Sequence, residues 1–178
     1  MTFNLYDATV PSFIRALTAL KANLKKGEEY AFSRKAFFHT EGSLEGQLLQ
    51  QQLTFDQFNL IKQVQIACDN AKLGSARIAG ALAPMHQDTE TSFAELYTRI
   101  DSTIDFLKTL DAAAFVGRED ARIGNPYWDG KEMYARDYVL QHLLPNFYFH
   151  VTTAYAILRA NGVPLGKADF FGERTFLA

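Results

Sequence analysis

Apolar residues return every three or four positions in four long segments of this sequence. An amphipathic α-helix produces this spacing because about 3.6 residues complete one turn and one face packs inward. The predicted helices span about residues 9–30, 54–82, 91–110 and 136–161. No segment of comparable length alternates apolar and polar residues, as a half-buried strand would. We therefore predict an all-α protein built as a four-helix bundle.

Local signals predict where several helices begin and end. Thr9 stands two residues before a proline, which is typical of a first helical turn. Thr54 and Gln57 have the spacing of a capping box and predict the start of the second helix. Gly162 can adopt the left-handed conformation that ends a helix, so the fourth helix should stop there. We expect the tail from Leu165 onward to pack as a loop.

The connections between the predicted helices carry most of the turn-forming residues. Residues 33–53 should connect the first two helices and contain one short helical piece. The helical period is also lost over residues 111–135, a connection long enough to have structure of its own. Within it, the Asp129-Gly130 pair predicts a small hairpin with arms at 121–123 and 131–134.

Composition excludes several classes of protein. The 178 residues contain 18 basic and 20 acidic side chains, a balance that argues against a nucleic-acid partner or an anionic membrane surface. One cysteine allows neither a disulfide nor a four-thiolate zinc site within the chain. The first residues lack the pattern of a secretory signal, and no apolar run approaches the roughly 18 residues of a membrane span. We expect one cytoplasmic four-helix-bundle domain over residues 1–178.

The common catalytic motifs are missing from the sequence. It has no glycine-rich dinucleotide fingerprint, phosphate loop, nucleophile elbow or Glu-x-x-His pair. Among the histidines, only His142 and His150 share a predicted helix. They lie about 12 Å apart along its axis, which is too far for one metal ion to bind both.

The fourth predicted helix nevertheless carries a polar strip on an otherwise apolar surface. Asn146, His150 and Thr153 lie about one turn apart on one face. The second helix offers Gln65 and Asp69, also one turn apart, and a carboxylate facing the imidazole would orient it or share a metal with it. One interpretation is a structural network between Asp69, Asn146 and His150. The other is a ligand or metal pocket.

Other polar residues have structural interpretations. Pro145 removes the backbone bond to Gln141 and should kink the fourth helix. Cys68 has no neighbour that would activate its thiol, so we interpret it as a core residue. Asp88 and Glu90 precede the third helix and are expected to interact favourably with its dipole.

Aromatic residues gather around the long connection between the third and fourth helices. Tyr127, Trp128, Tyr134 and Tyr138 fall within twelve positions of one another. Such a group can line a ligand pocket, form a dimer contact or cover the end of the bundle.

Long strings of this sequence are similar to one bacterial protein family. They cover residues 6–13, 63–72, 93–96, 99–100, 144–155, 157–159 and 161–163, and include Pro-Asn-Phe-Tyr-Phe-His-Val-Thr-Thr-Ala-Tyr at 145–155. These strings resemble the domain of unknown function DUF1993, which is placed with the DinB/YfiT-like four-helix bundles. The likeness extends over essentially the whole chain.

The resemblance implies a metalloenzyme group whose members often dimerise. That group binds a divalent metal with one histidine on the second helix and two, spaced His-x-x-x-His, on the fourth. This sequence departs from the pattern, because Ala154 follows His150 by four residues and the second helix offers Asp69. If a divalent metal binds, the candidate ligands are His150 and Asp69, with His39 or Glu90 as a third.

Two functions remain open at this point. The first is a small-molecule-binding or stress-associated homodimer with a polar pocket around His150. The alternative is a metal-dependent transferase or hydrolase that uses Asp69 and His150, with Asn146 fixing a small-molecule substrate. The candidate ligand-binding residues are Gln65, Asp69, Tyr138, Asn146, His150 and Thr153.

Overall fold

The computed structural model describes residues 3–34 and 44–176 and has an all-α fold. The predicted four-helix bundle is confirmed. The α-helices of the described residues are α1 (Leu5–Arg34), α2 (Leu44–Leu49), α3 (Leu60–Ala79), α4 (Phe93–Thr109), α5 (Ala135–Tyr138), α6 (Leu144–Ala160) and α7 (Lys167–Phe171). Within the described ranges, none of these helices combines the length and apolar character that crossing a membrane requires. The cytoplasmic location stays a prediction.

The long helices α1, α3, α4 and α6 enclose the core. Helix α3 packs against both α4 and α6, and α1 packs against the same two helices from the other side. Phe13 of α1 meets Phe147 of α6 with 4.5 Å between ring centroids. Gly74 lets α3 approach Leu143 closely, because a Cβ at that position would lie 2.7 Å from Leu143 Cδ2. The close approach of α3 to Leu143 therefore depends on a position that has no side chain.

Two helices begin at asparagines rather than at the predicted threonines. Helix α1 begins after Asn4, whose side-chain oxygen accepts backbone N–H groups of the first turn, and Thr9 lies inside the helix. Helix α3 begins after Asn59, which caps it in the same way. Thr54 instead donates to a nearby carboxylate in the preceding loop. The predicted starts were wrong because asparagine caps occur close to both threonines.

The fourth predicted helix is continuous through Pro145, where a kink was expected, and a wider turn directly precedes the proline. Residues 139–143, between α5 and α6, form a π-helical turn in which the Leu144 N–H donates to the Val139 carbonyl, five residues earlier. Pro145 follows this turn directly. The lost bond to Gln141 thus falls where the backbone already departs from α-helical bonding.

The predicted hairpin is present, but its turn differs from the prediction. Strand β1 (Arg122–Gly124) pairs antiparallel with β2 (Glu132–Tyr134), with Arg122 opposite Tyr134. The connection contains a 3₁₀ turn over Pro126–Trp128, followed by Asp129 in the left-handed region at φ 50°. The Asp129-Gly130 pair is therefore one part of a longer connection and not a two-residue turn.

The chain after α6 folds back onto α1. Gly162 ends the fourth helix at φ 89°, as predicted. The tail was expected to be a loop, but it forms α7, where Asp169 accepts from the Gly166 N–H. Arg15 and Lys26 of α1 hold this segment through the Phe171 carbonyl and the Asp169 carboxylate. These contacts between distant residues explain why a local sequence pattern missed the helix.

Candidate functional site

Helix α3 carries polar side chains on two of its faces. Gln65, Asp69 and Lys72 face α4 and the segment before it. Gln63 and Asn70 face α6. Residues seven apart differ by only about 20° around a helix axis, so each set forms its own stripe. The two polar centres of the protein develop from these stripes.

The first centre is a buried arginine surrounded by carboxylates. The Arg99 side chain, on α4, is 1% exposed, and its Nη2 lies 3.0 Å from Asp69 Oδ1 and 3.0 Å from Asp88 Oδ1. Its Nη1 donates to Glu90 Oε1 over 2.9 Å. We call these four residues, with Lys62 and Lys72, the Arg99 cluster. The cluster joins α3, α4 and the connection between them.

The charges of the Arg99 cluster balance. Lys72 is buried and lies 3.1 Å from Asp69 Oδ1, while Lys62 lies 2.5 Å from Asp88 Oδ2. Together with Arg99, these lysines match the three carboxylates of the cluster. Buried charges need such partners because leaving water is costly for an unpaired ion.

Asp88 and Glu90, which were expected to interact with the dipole of the third helix, are members of the Arg99 cluster. Their carboxylates bind Arg99, and a separate capping box of Ser92 and Glu95 begins α4. Burial opposes the ionised form of both acids, but hydrogen bonds from Lys62 to Asp88 and from Arg99 to Glu90 outweigh it. The pKa of each carboxyl group is therefore below its usual value.

The second centre is a hydrogen-bonded chain that ends at His150. His150 is 7% exposed, and its Nδ1 lies 2.7 Å from Gln63 Oε1. Gln63 Nε2 donates to the backbone carbonyl of Phe58 over 3.0 Å. Burial disfavours the charged imidazolium and lowers the pKa of His150 to about 4. The imidazole is thus neutral at physiological pH.

The other two members of the predicted strip have separate partners. Asn146 Nδ2 donates to Asn70 Oδ1 on α3 over 3.1 Å. The Thr153 hydroxyl donates to the Phe149 carbonyl within its own helix. Asn146 and His150 therefore connect α6 to α3, whereas Thr153 does not.

The predicted contact between Asp69 and His150 was wrong. Asp69 binds Lys72 and Arg99, and His150 binds Gln63. The reason is angular, because Gln63 and Asp69 are six residues apart and point about 120° apart around α3. Sequence reasoning named Gln65, which binds Glu90, but missed Gln63.

Sequence reasoning also missed Arg99, although a signal for it existed. Arg99 follows the inward-facing Leu96 by three residues and precedes the inward-facing Ile100. A charged residue at such a position must be paired inside the protein. The pattern therefore predicts a buried partner, without naming it.

Tyr138 lies away from both centres, in the group beside the hairpin. Its ring is stacked on His142 at 5.6 Å, and Trp128 meets it edge-on at 5.9 Å. Its hydroxyl accepts from Arg77. Twelve residues of helix place Tyr138 about 18 Å from His150 along the axis, so the structure does not bring these two candidates together.

Cys68 is a core residue, as predicted. It is fully buried, and burial raises the pKa of its thiol to about 12, although a hydrogen bond with Thr103 acts in the opposite direction. The thiol therefore stays protonated and unreactive at neutral pH.

The candidate ligands do not fit a divalent metal. Asp69 Oδ1 lies within 3.1 Å of both Lys72 and Arg99, and these two cations would repel a metal ion at that oxygen. In residues 3–34 and 44–176, no three His, Cys, Asp or Glu side chains are grouped to hold a metal. His39, named as a third ligand, lies outside the described residues, and Glu90 is bound by Arg99.

Comparison with known proteins gives a family and a solved relative. The sequence model described as domain of unknown function (DUF1993) matches residues 5–171. The crystal structure of a DinB family member protein from Shewanella denitrificans is 44% identical in sequence and superposes with a TM-score of 0.89. The match covers 98% of this chain and 95% of that chain. None of the curated proteins matches this chain.

Proposed function

The chain belongs to the DUF1993 family, and we propose that it binds a small molecule through the imidazole of His150. The family has no assigned activity, so the proposal depends on the site itself. The observation that carries it is the hydrogen-bonded chain from Phe58 through Gln63 to His150.

This chain of bonds determines which nitrogen of His150 carries the proton. A backbone carbonyl only accepts, so the amide nitrogen of Gln63 must face Phe58 and its oxygen must face His150. The imidazole must then donate from Nδ1, which leaves a lone pair on Nε2. In the described part of the chain, Nε2 of His150 has no hydrogen-bond partner. The atom is also not closed to solvent. This atom is available to a ligand.

The neutral state of the imidazole indicates the class of ligand. Burial alone lowers the pKa of His150 to about 4, and no charged side chain adds to the effect. An uncharged ring with one lone pair accepts a hydrogen bond and offers nothing to an anion. We therefore propose an uncharged ligand that donates an N–H or O–H group to Nε2.

The proton position can be read directly by nuclear magnetic resonance. Long-range ¹H–¹⁵N spectra should show His150 protonated on Nδ1, and the ring should remain neutral until the pH falls to about 4. Gln63→Leu should abolish the tautomer preference because the acceptor at Nδ1 is lost. Gln141→Leu, at an exposed glutamine, should leave the spectrum unchanged. A wild-type ring protonated on Nε2, or one that titrates near pH 6.5, contradicts the proposal.

Ligand binding can be followed at the same atom. In a screen of small molecules, uncharged donors should shift the Nε2 resonance of the wild-type protein and fail to bind His150→Ala. Anions without such donors should leave the resonance in place. A screen in which no uncharged donor moves Nε2 would contradict a binding role.

We also propose that the protein is a homodimer, with the hairpin face as its contact. Tyr127 and Tyr134 are both exposed there, whereas the neighbouring Trp128 points inward against Tyr138. Apolar and aromatic side chains are enriched at protein interfaces. The resemblance to a group that often dimerises agrees with this proposal.

The oligomeric state tests the dimer proposal. Light scattering after size exclusion should give twice the mass of one chain for the wild-type protein. Tyr127→Ser combined with Tyr134→Ser should give a monomer, while Phe149→Ser, an exposed site on α6, should remain dimeric. A monomeric wild type, or a dimer that survives the paired substitution, would rule out this contact.

A metal-dependent transferase or hydrolase using Asp69 and His150 is not part of this proposal. The Lys72 and Arg99 cations beside Asp69 oppose a metal there, and Asp69 faces away from His150. A catalytic role for His150 or Asn146 stays a prediction, as does an association with stress.

A further inference from the structure

A cleft of about 490 Å³ opens beside the amino end of α3, between residues 50–65 and the segment at 88–90. Its walls include Gln57, Phe58, Lys62, Gln65, Asp88 and Glu90. The volume lies within the range of about 300–1,000 Å³ that is usual for small-molecule sites. Neither Gln63 nor His150 lines it, and Phe58, which does, enters the His150 chain only through its backbone carbonyl.

The wall of the cleft contains a buried amide with an unused acceptor. Gln65 is 4% exposed, and its Nε2 donates to Glu90 Oε2 over 2.8 Å. The other Glu90 oxygen accepts from Arg99, which fixes the carboxylate. Gln65 Oε1 is therefore fixed in orientation and has no hydrogen-bond partner within the described residues. Gln57 Oε1 also lacks a partner there, but it is closed to solvent.

The charges around the cleft cancel. Asp88 and Glu90 are paired with Lys62 and with Arg99, which lies behind Glu90. A charged ligand would lose its hydration without gaining a net opposite charge. The local electrostatics therefore favour an uncharged ligand.

We infer that this cleft binds an uncharged polyhydroxylated molecule of the size of a monosaccharide. One of its hydroxyl groups donates to Gln65 Oε1, which the bond from Gln65 to Glu90 holds in place. The apolar C–H face of such a molecule packs on the Phe58 ring, which is 55% exposed at the cleft wall. The combination of a fixed acceptor, an exposed aromatic ring and balanced charge matches this ligand chemistry.

Titration of the full chain with D-glucose, D-galactose and myo-inositol tests this inference. In ¹H–¹⁵N spectra, at least one of them should give saturable shifts confined to the signals of Gln57, Phe58, Gln65 and their neighbours. Phe58→Ala should weaken the apparent affinity about tenfold by removing the aromatic surface. The exposed Phe149→Ala substitution should leave the affinity unchanged.

Because Phe58 is exposed, its replacement should preserve the fold, and circular dichroism checks this. Gln65→Leu should also weaken binding, because it removes the acceptor Oε1. The inference is overturned if none of the three polyols shifts these signals, or if the shifts increase without saturation. It is also overturned if spermidine or citrate, used as cationic and anionic probes, binds the cleft more tightly than the polyols. The His150 tautomer is independent of each of these results.

Discussion

Replacing Arg99 with leucine should lower the free energy of unfolding by about 3–5 kcal/mol. The Arg99 side chain is 1% exposed and contacts Asp69, Asp88 and Glu90. Its loss leaves these carboxylates with too little positive charge, and the Glu90 side chain among them is only 10% exposed. Removing one partner of a buried ionic group costs more than the intact group contributes.

Urea denaturation followed by circular dichroism measures this loss. Lys108→Ala is the matched control, because it removes a cation from an exposed ion pair with Asp105 and should change stability by less than about 0.5 kcal/mol. Adding Glu90→Gln to Arg99→Leu should recover part of the loss by removing one stranded charge. A loss below about 1 kcal/mol in Arg99→Leu would show that the cluster is more open to water than its burial indicates.

Replacing Gly74 with valine should cost about 2–3 kcal/mol. A Cβ at this position would lie 2.7 Å from Leu143 Cδ2, closer than real Cβ contacts come. Leu143 is fully buried and has little room to move. The new side chain would therefore push α3 away from the π-helical turn, which outweighs the better helix propensity of valine.

Gly46→Ala is the control for Gly74→Val. Gly46 lies in α2 with open space around its Cα, so an added methyl group should stabilise the helix by about 0.5–1 kcal/mol. Chemical denaturation of both variants separates crowding from the general effect of replacing a helical glycine. A neutral or stabilised Gly74→Val would mean that Leu143 can repack.

The sequence predicts the long helices well, because each of them buries one face and that face sets the spacing of the apolar residues. Their ends depend on competition between nearby caps, and Asn4 and Asn59 prevail over Thr9 and Thr54. Helix α7 could not be predicted, because its five residues are held by Arg15 and Lys26 from the start of the chain. Helix propensity depends on neighbouring residues and does not include contacts with distant parts of the chain.

Prediction of the candidate site was limited by the rotation of α3. The sequence identifies His150 and Asn146 as a polar strip that needs partners, and both find amides on α3. It does not determine which of the two polar stripes of α3 turns toward α6. The predicted partner of His150 was Asp69. In the structure His150 binds Gln63, and Asp69 binds Arg99.

The chain has a single tryptophan, and its position determines what fluorescence reports. Trp128 sits in the hairpin connection, edge-on to Tyr138 and to His142. Its emission therefore reports the docking of the hairpin connection onto the fourth helix at the edge of the core. Denaturation curves from fluorescence and from circular dichroism coincide only if the hairpin and the bundle unfold as one cooperative unit. Trp128 is thus an intrinsic fluorescence probe next to the face proposed for self-association.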